Sequence, residues 1–327
     1  MKVVFIYRSP KMGFSIDNVF RPIEKKMNEK CEVDSITFSK QNYSLSAIIE
    51  NIMKVRKYMK KNPNAIIHIT GTENYLLPFL RKYKTVVTVH DLGFYTAHKK
   101  TLRLYLKFPL WISSLRLADK VTFISEKSLK EAQELVKFKK GQTCVVMNPV
   151  SDVFVPNLDY CFNEQNPTIL SIGTGKNKNL ERTILAIKDI QCHLRIVGAL
   201  NAEQKNLLKE NSINFSQVEN ISNEQIIKEY QNCDIVCFPS IHEGFGMPII
   251  EGQAIGKAVV TSDVSPMKEI ANGSCSLVNP LDVKSIHDGI INAISNHRKY
   301  EQLGKENVKR FSVDIKTQEY FNIYKTL

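Results

Sequence analysis

Ten short apolar runs rich in β-branched residues recur along the chain. They lie at 3–7, 65–70, 85–90, 121–125 and 144–148, then at 168–172, 194–197, 234–238, 258–262 and 276–278. Helix-period segments separate them. Strands that are apolar throughout need cover on both faces, and parallel neighbours need a long crossover between them. The pattern therefore predicts an α/β chain with two doubly wound parallel sheets. A turn-rich stretch from 148 to 157, running on to Asn166-Pro167, divides the two sets of βα units. Helix starts carry their own marks. Ser222 with Gln225 spells a capping box, Ser265-Pro266 an N-cap followed by proline, and Ser125 and Asn179 are further N-cap candidates.

Ligands of such sheets bind beyond the carboxyl ends of strands. The stretch 238–251 (Phe-Pro-Ser-Ile-His-Glu-Gly-Phe-Gly-Met-Pro-Ile-Ile-Glu) follows a strand in this way. Pro248 suits a first helical turn, where its missing N–H costs nothing. Gly244 and Gly246 let the backbone approach a ligand closely. The start of the helix favours an anion. Glu243 and Glu251 add carboxylates, which accept hydrogen bonds from hydroxyls. An anion cradle beside hydroxyl-binding carboxylates suits a sugar attached to a nucleoside diphosphate.

His90-Asp91 and Gly173-Thr174-Gly175 also follow strands. No third glycine completes a dinucleotide fingerprint after Gly175, and the chain holds no P-loop. Lys178 is a point charge suited to a diphosphate, and Lys176 is a second basic residue in the same loop.

At 327 residues, with 43% hydrophobic and 24% charged, the chain has enough material for two globular domains. No run reaches the ~18 apolar residues of a membrane span. The first seven residues read as a strand rather than a signal peptide. The seven cysteines are scattered without a CxxC pair, which points to a reducing cytoplasm and away from zinc or disulfides. Residues 1–160 hold 27 Lys and Arg against 14 Asp and Glu, whereas the remainder holds 18 against 19. Such a basic half suits an acidic partner, the alternative being a solvated lysine-rich surface. The segment 99–117 mixes basic and aromatic residues around Trp111. It reads either as a membrane-surface segment or as an ordinary domain helix kinked at Pro109.

Five segments together resemble glycosyltransferase family four, of the GT-B type, over nearly the whole chain. They are Val89-His90-Asp91-Leu92-Gly93-Phe94, residues 118–125, residues 144–154 (with Pro149 where glycine is usual), residues 172–182, and the Glu243/Glu251 motif. The resemblance implies two Rossmann-like domains facing across a cleft. Residues 1–155 would bind the acceptor, 165–308 the nucleotide sugar, and 309–327 would form a helix crossing back to the first domain. It implies sugar transfer to a hydroxyl with retention of configuration. Glu243 and His90 would then be catalytic. Glu251 would bind the donor ribose. Gly13, Gly173, Lys176, Lys178, Glu243, Gly244, Phe245, Gly246 and Met247 would contact the rest of the donor. No Asp-x-Asp triplet occurs, so no metal and no cofactor is expected beyond the donor itself, a UDP- or GDP-sugar. Members of the family of this size often build bacterial surface polysaccharides, so by analogy the resemblance implies O-antigen or capsule synthesis. A lipid-linked acceptor follows, as does a cytoplasmic site, peripheral on the inner face of the plasma membrane. No nucleic-acid partner is expected. The competing readings are a nucleotide-sugar epimerase or phosphorylase on the same plan, and a non-catalytic basic protein that binds nucleic acid.

Overall fold

The computed structural model describes residues 1–9, 15–39, 44–92 and 111–327. The chain divides into two compact units, residues 1–149 with 313–327, and residues 150–312.

The first unit is built on a six-stranded sheet. Its strands are β1 (Lys2–Tyr7), β2 (Glu32–Thr37), β3 (Ile66–Ile69), β4 (Thr85–Val89), β5 (Lys120–Phe123) and β6 (Thr143–Val145). They run parallel in the order β2-β1-β3-β4-β5-β6. Helices α1 (Ser15–Met27), α2 (Leu45–Lys61) and α3 (Glu126–Leu135) belong to this unit. Val55 and Met59 of α2 join Val4, Ile67, Val87 and Val121 of the sheet in one core. Ser125 caps α3 through a box closed by Ser128, as its sequence position predicts.

In the second unit the strands are β7 (Thr168–Ile172), β8 (His193–Val197), β9 (Phe215–Val218), β10 (Ile235–Phe238), β11 (Ala258–Ser262) and β12 (Ser276–Val278). They are again parallel, in the order β12-β11-β10-β7-β8-β9. Its helices are α4 (Leu180–Ala186), α5 (Ala202–Glu210), α6 (Asn223–Gln231), α7 (Met247–Ala254), α8 (Met267–Ala271), α9 (Val283–Ser295) and α10 (His297–Asn307). The chain then returns to the first unit through α11 (Val313–Lys325), which packs on α1.

Two strands, β2 and β9, lie outside the ten apolar runs. Both are edge strands. Glu-Val-Asp-Ser-Ile-Thr and Phe-Ser-Gln-Val expose much of their surface, so neither needs a continuous apolar run. Two caps also differ from expectation. Asn179 stands before α4 with φ 64° and makes no side-chain cap bond. Ser265 does not cap α8 either: Pro266 itself occupies the cap position, and no side chain caps the helix.

Trp111 is buried, with its ring 5.3 Å from that of Tyr75. It is therefore a core anchor and does not present its indole to a membrane. Residues 99–110 of that segment, and Gly13, lie outside the described residues.

Candidate functional site

The second unit gathers most of the sequence-predicted residues at the carboxyl ends of β7 and β10. After β7 the chain turns through Gly173, whose φ is +87°. A Cβ there would lie 3.0 Å from Cγ of Lys178, so the bare glycine leaves room for the lysine stem. A short 3₁₀ turn, Lys176–Lys178, follows. Lys178 reaches over the Phe238 ring, 4.9 Å from its centroid, and donates to Glu243 Oε1 at 2.7 Å. Asn177 Nδ2 donates to the same oxygen at 3.1 Å and to the His242 carbonyl at 3.2 Å. The Ile241 N–H answers by donating to the Asn177 carbonyl at 2.8 Å. The two loops are thus laced together around one carboxylate.

Asn179 supplies a second fastening. Its Nδ2 donates to the carbonyls of Pro239 (2.9 Å) and Pro280 (2.6 Å). Its buried Nδ2 ties the loop after β7 to those after β10 and β12, and its Oδ1, the atom a helix cap would use, accepts from Arg182 Nη1 at 2.9 Å, so no side-chain cap forms. Lys176 is exposed and meets no hydrogen-bond or ion-pair partner among the described residues. The place beside Glu243 belongs to Asn177 instead.

Helix α7 starts at Gly246, whose φ of +130° is denied to ordinary side chains, with Pro248 in the first turn. Phe245 is buried edge-on against Phe311, 6.1 Å between centroids. Its side chain therefore anchors the turn, and only its backbone is left to meet a ligand. Gly244 and Met247 are half-buried beside it. Glu251 lies one turn into α7 and accepts from the buried Tyr230 hydroxyl, at the end of α6, at 2.5 Å. Burial pushes the Glu251 carboxyl up to about 7, against the pull of the Tyr230 hydrogen bond and the Lys178 charge. One lysine therefore acts on both glutamates.

In the first unit His90 follows β4. Its Nε2 stands 2.8 Å from the Thr70 carbonyl. A carbonyl only accepts, so Nε2 carries the proton and Nδ1 is the acceptor of the neutral ring. Burial holds the imidazole below its ordinary value, partly countered by the Thr70 hydrogen bond and Asp91. No group of three or more His, Cys, Asp or Glu suited to a metal occurs among the described residues. No described helix is long and apolar enough to cross a membrane.

The sequence does not mark Tyr230, Asn177 or Asn179 as site residues. Tyr230 carries no local signal, because its link to Glu251 is made only when α6 and α7 come together.

Two doubly wound Rossmann-like units, one bearing a glycine-started helix flanked by glutamates, define a GT-B type fold. The family model "Glycosyltransferase Family 4" matches residues 20–153, and "Glycosyl transferases group 1" matches residues 159–310. The chain belongs to glycosyltransferase family four. It is similar to the serotype-specific mannosyltransferase WbdA of Escherichia coli, 30% identical over 83 residues, 25% of this chain. That match spans only 10% of WbdA's own length. It is 25% identical over 245 residues to the O-antigen chain mannosyltransferase RfbU of Salmonella typhimurium, covering 70% of this chain and 67% of RfbU. Among solved structures, Anabaena HepE in complex with UDP and glucose superposes with a TM-score of 0.76 at 15% identity, covering 100% of each chain. At that identity the likeness is one of fold.

Proposed function

We propose that this chain transfers a hexose, with retention, from a UDP- or GDP-sugar to a hydroxyl of a lipid-linked saccharide. The setting would be bacterial surface polysaccharide synthesis, O-antigen or capsule, on the cytoplasmic face of the membrane that carries the acceptor. The observation that carries the reading is Lys178, paired to Glu243 at the mouth of α7 with Glu251 one turn deeper. The O-antigen mannosyltransferase relative supports the choice of pathway, and the solved structure with UDP and glucose shows that this fold can hold the parts of a nucleotide sugar.

In this scheme the ribose hydroxyls donate to Glu251, and the diphosphate lies against Lys178 and the positive end of α7. Binding a diphosphate draws Lys178 away from Glu243 and leaves that carboxylate for the sugar. Charge grows on the leaving diphosphate as the anomeric bond breaks. Fixed positive groups stabilise that charge without reorganising. Lys178 and the helix dipole supply what a divalent ion supplies elsewhere, so no metal is required. For His90, in the first unit, a neutral ring with Nδ1 as acceptor suits a hydrogen bond from a hydroxyl.

A thermal-shift panel of UDP, GDP, ADP and CMP tests the donor site, since a ligand of the folded state raises its melting temperature. A shift with UDP or GDP is the expected result, and none with any nucleotide rejects the site. Movement of labelled sugar into a lipid extract, unaffected by chelator, separates transfer from epimerisation or phosphorolysis. Loss of transfer on chelation, with rescue by magnesium, would reject the metal-free scheme.

A further inference from the structure

Helix α2 has two faces of different character. Ala47, Asn51, Ile52, Val55 and Met59 are buried. Leu45, Ile49 and Met53 are not, with 74%, 47% and 65% of their surface exposed. Their i, i+4, i+8 spacing puts them in one line along the helix. At roughly 100° per residue, Arg56, Lys57 and Lys60 fall on the same exposed face. An apolar strip thus runs into a basic one, and Ile49, Met53, Lys57 and Lys60 border a surface depression along it. Glu50 is the helix's one acid, against five basic residues at 54, 56, 57, 60 and 61.

Isolated exposed apolar side chains are ordinary, but three in line beside a basic cluster are not. Burying them against a second protein would also bury the cations beside them, which is costly without acids opposite. An anionic lipid surface meets both needs. Its acyl boundary takes Leu45, Ile49 and Met53, and its phosphates take Arg56, Lys57 and Lys60, whose long stems reach outward.

We propose that this face of α2 docks the protein on a bilayer containing anionic phospholipid. The docking face takes its purpose from the proposed lipid-linked acceptor, but its structural basis is independent of that reading.

Vesicle co-sedimentation with the full chain tests it. Mixed phosphatidylcholine–phosphatidylglycerol vesicles should bind the protein at low salt, and pure phosphatidylcholine vesicles should bind it far less. The triple change Arg56→Ser, Lys57→Ser, Lys60→Ser should lower the partition coefficient about a hundredfold. Ile49→Ser with Met53→Ser should lower it about tenfold, with less dependence on salt. All of these side chains are exposed, so melting temperature and nucleotide-induced shift should survive in both variants. That control distinguishes a failed docking face from a failed donor site. Equal binding to the two vesicle types, or unchanged partition in both variants, overturns the proposal. So does a solution dimer that Ile49→Ser with Met53→Ser dissociates, which would make the face a contact between copies of the chain.

Discussion

The Tyr230 hydroxyl donates to Glu251 Oε2 across 2.5 Å, joining the end of α6 to the first turns of α7. Burial lifts the Glu251 carboxyl from 4.5 to about 7, while Tyr230 and Lys178 favour its charged form. A protonated carboxyl loses acceptor capacity, so nucleotide binding through Glu251 should strengthen as pH rises past 7. One unit below that midpoint, affinity should be about tenfold weaker than at the plateau. Without the tyrosine hydroxyl the charged form loses a hydrogen bond, so Tyr230→Phe should move the midpoint upward by roughly one unit. Calorimetric titration of UDP and GDP across that range reads both. The diphosphate's own titration is common to the two proteins, so their difference isolates the carboxyl. Superimposable pH profiles would dissociate Tyr230 from donor binding.

The same shift has a consequence for stability. A carboxyl whose folded value is raised binds its proton where the unfolded chain has lost it. Its contribution is therefore full below about 4.5 and is lost as pH rises through about 7. Glu251→Gln should flatten that part of the stability curve in denaturant titrations at several pH values. An unchanged slope between those values would place the titrating group elsewhere.

Glu243 and Lys178 form a pair whose side chains keep 15% and 26% of their surface exposed. Glutamine keeps the shape of the side chain and an acceptor oxygen for Lys178 and Asn177, so this mostly covered site loses a charge but not its hydrogen bonds, at a cost of about 1 kcal/mol. Glu243→Gln should therefore melt near wild type while transfer falls beyond detection. Lys178→Ala should keep its fold and lose about a hundredfold or more in kcat, as expected when one fixed donor to a growing negative charge is removed. Full turnover by Glu243→Gln would remove it from the chemistry.

Gly173 allows a related test that leaves the charged groups in place. Its φ of +87° strains any other residue, and a Cβ would crowd the Lys178 stem. Gly173→Ala should cost about 1–3 kcal/mol in urea unfolding. It should also weaken nucleotide binding by displacing Lys178. A loss of stability with unaltered nucleotide affinity would show that the lysine finds its place by another route.

The parts of this molecule legible in sequence are those whose physics is local. Central strands announce themselves because burial on both faces demands apolar or β-branched residues throughout, as in 85–89 and 235–238. The Glu243–Glu251 segment is legible because glycine, proline and carboxylates recur at the spacing of one turn and one helix start. Strands β2 and β9 were hidden because an edge strand with exposed surface is free to be polar. Asn179 departs from its sequence signal for a different reason. An asparagine before a helix usually caps it with its side-chain oxygen, but here Nδ2 is held by two carbonyls more than 50 residues away in sequence and Oδ1 accepts from Arg182. Tyr230, Asn177 and the Phe245 anchor depend likewise on long-range pairing, which composition and period do not encode.

His68 lies fully buried in β3, with Nδ1 2.6 Å from the Tyr324 hydroxyl and Nε2 2.8 Å from Thr88 Oγ1. Tyr324 sits on α11, and its neighbour Tyr320 reaches the same threonine at 3.2 Å. These polar contacts fasten the last helix to the first sheet amid aromatic packing, with the Tyr320 ring 5.0 Å from the imidazole. Burial drives His68 down to about 3, so the folded protein holds it neutral. Tyr324→Phe keeps the ring and deletes only the hydroxyl, leaving one imidazole nitrogen buried without that partner. The expected cost is about 1–3 kcal/mol in urea unfolding at neutral pH. Because the unfolded chain takes up a proton near 6.5 and the folded chain only near 3, stability should fall as pH drops between those values. His68→Asn removes the titrating group, so its stability should fall less steeply over that interval, whatever its absolute loss. An identical acid slope in wild type and His68→Asn would show that the imidazole does not govern attachment of the last helix under acid.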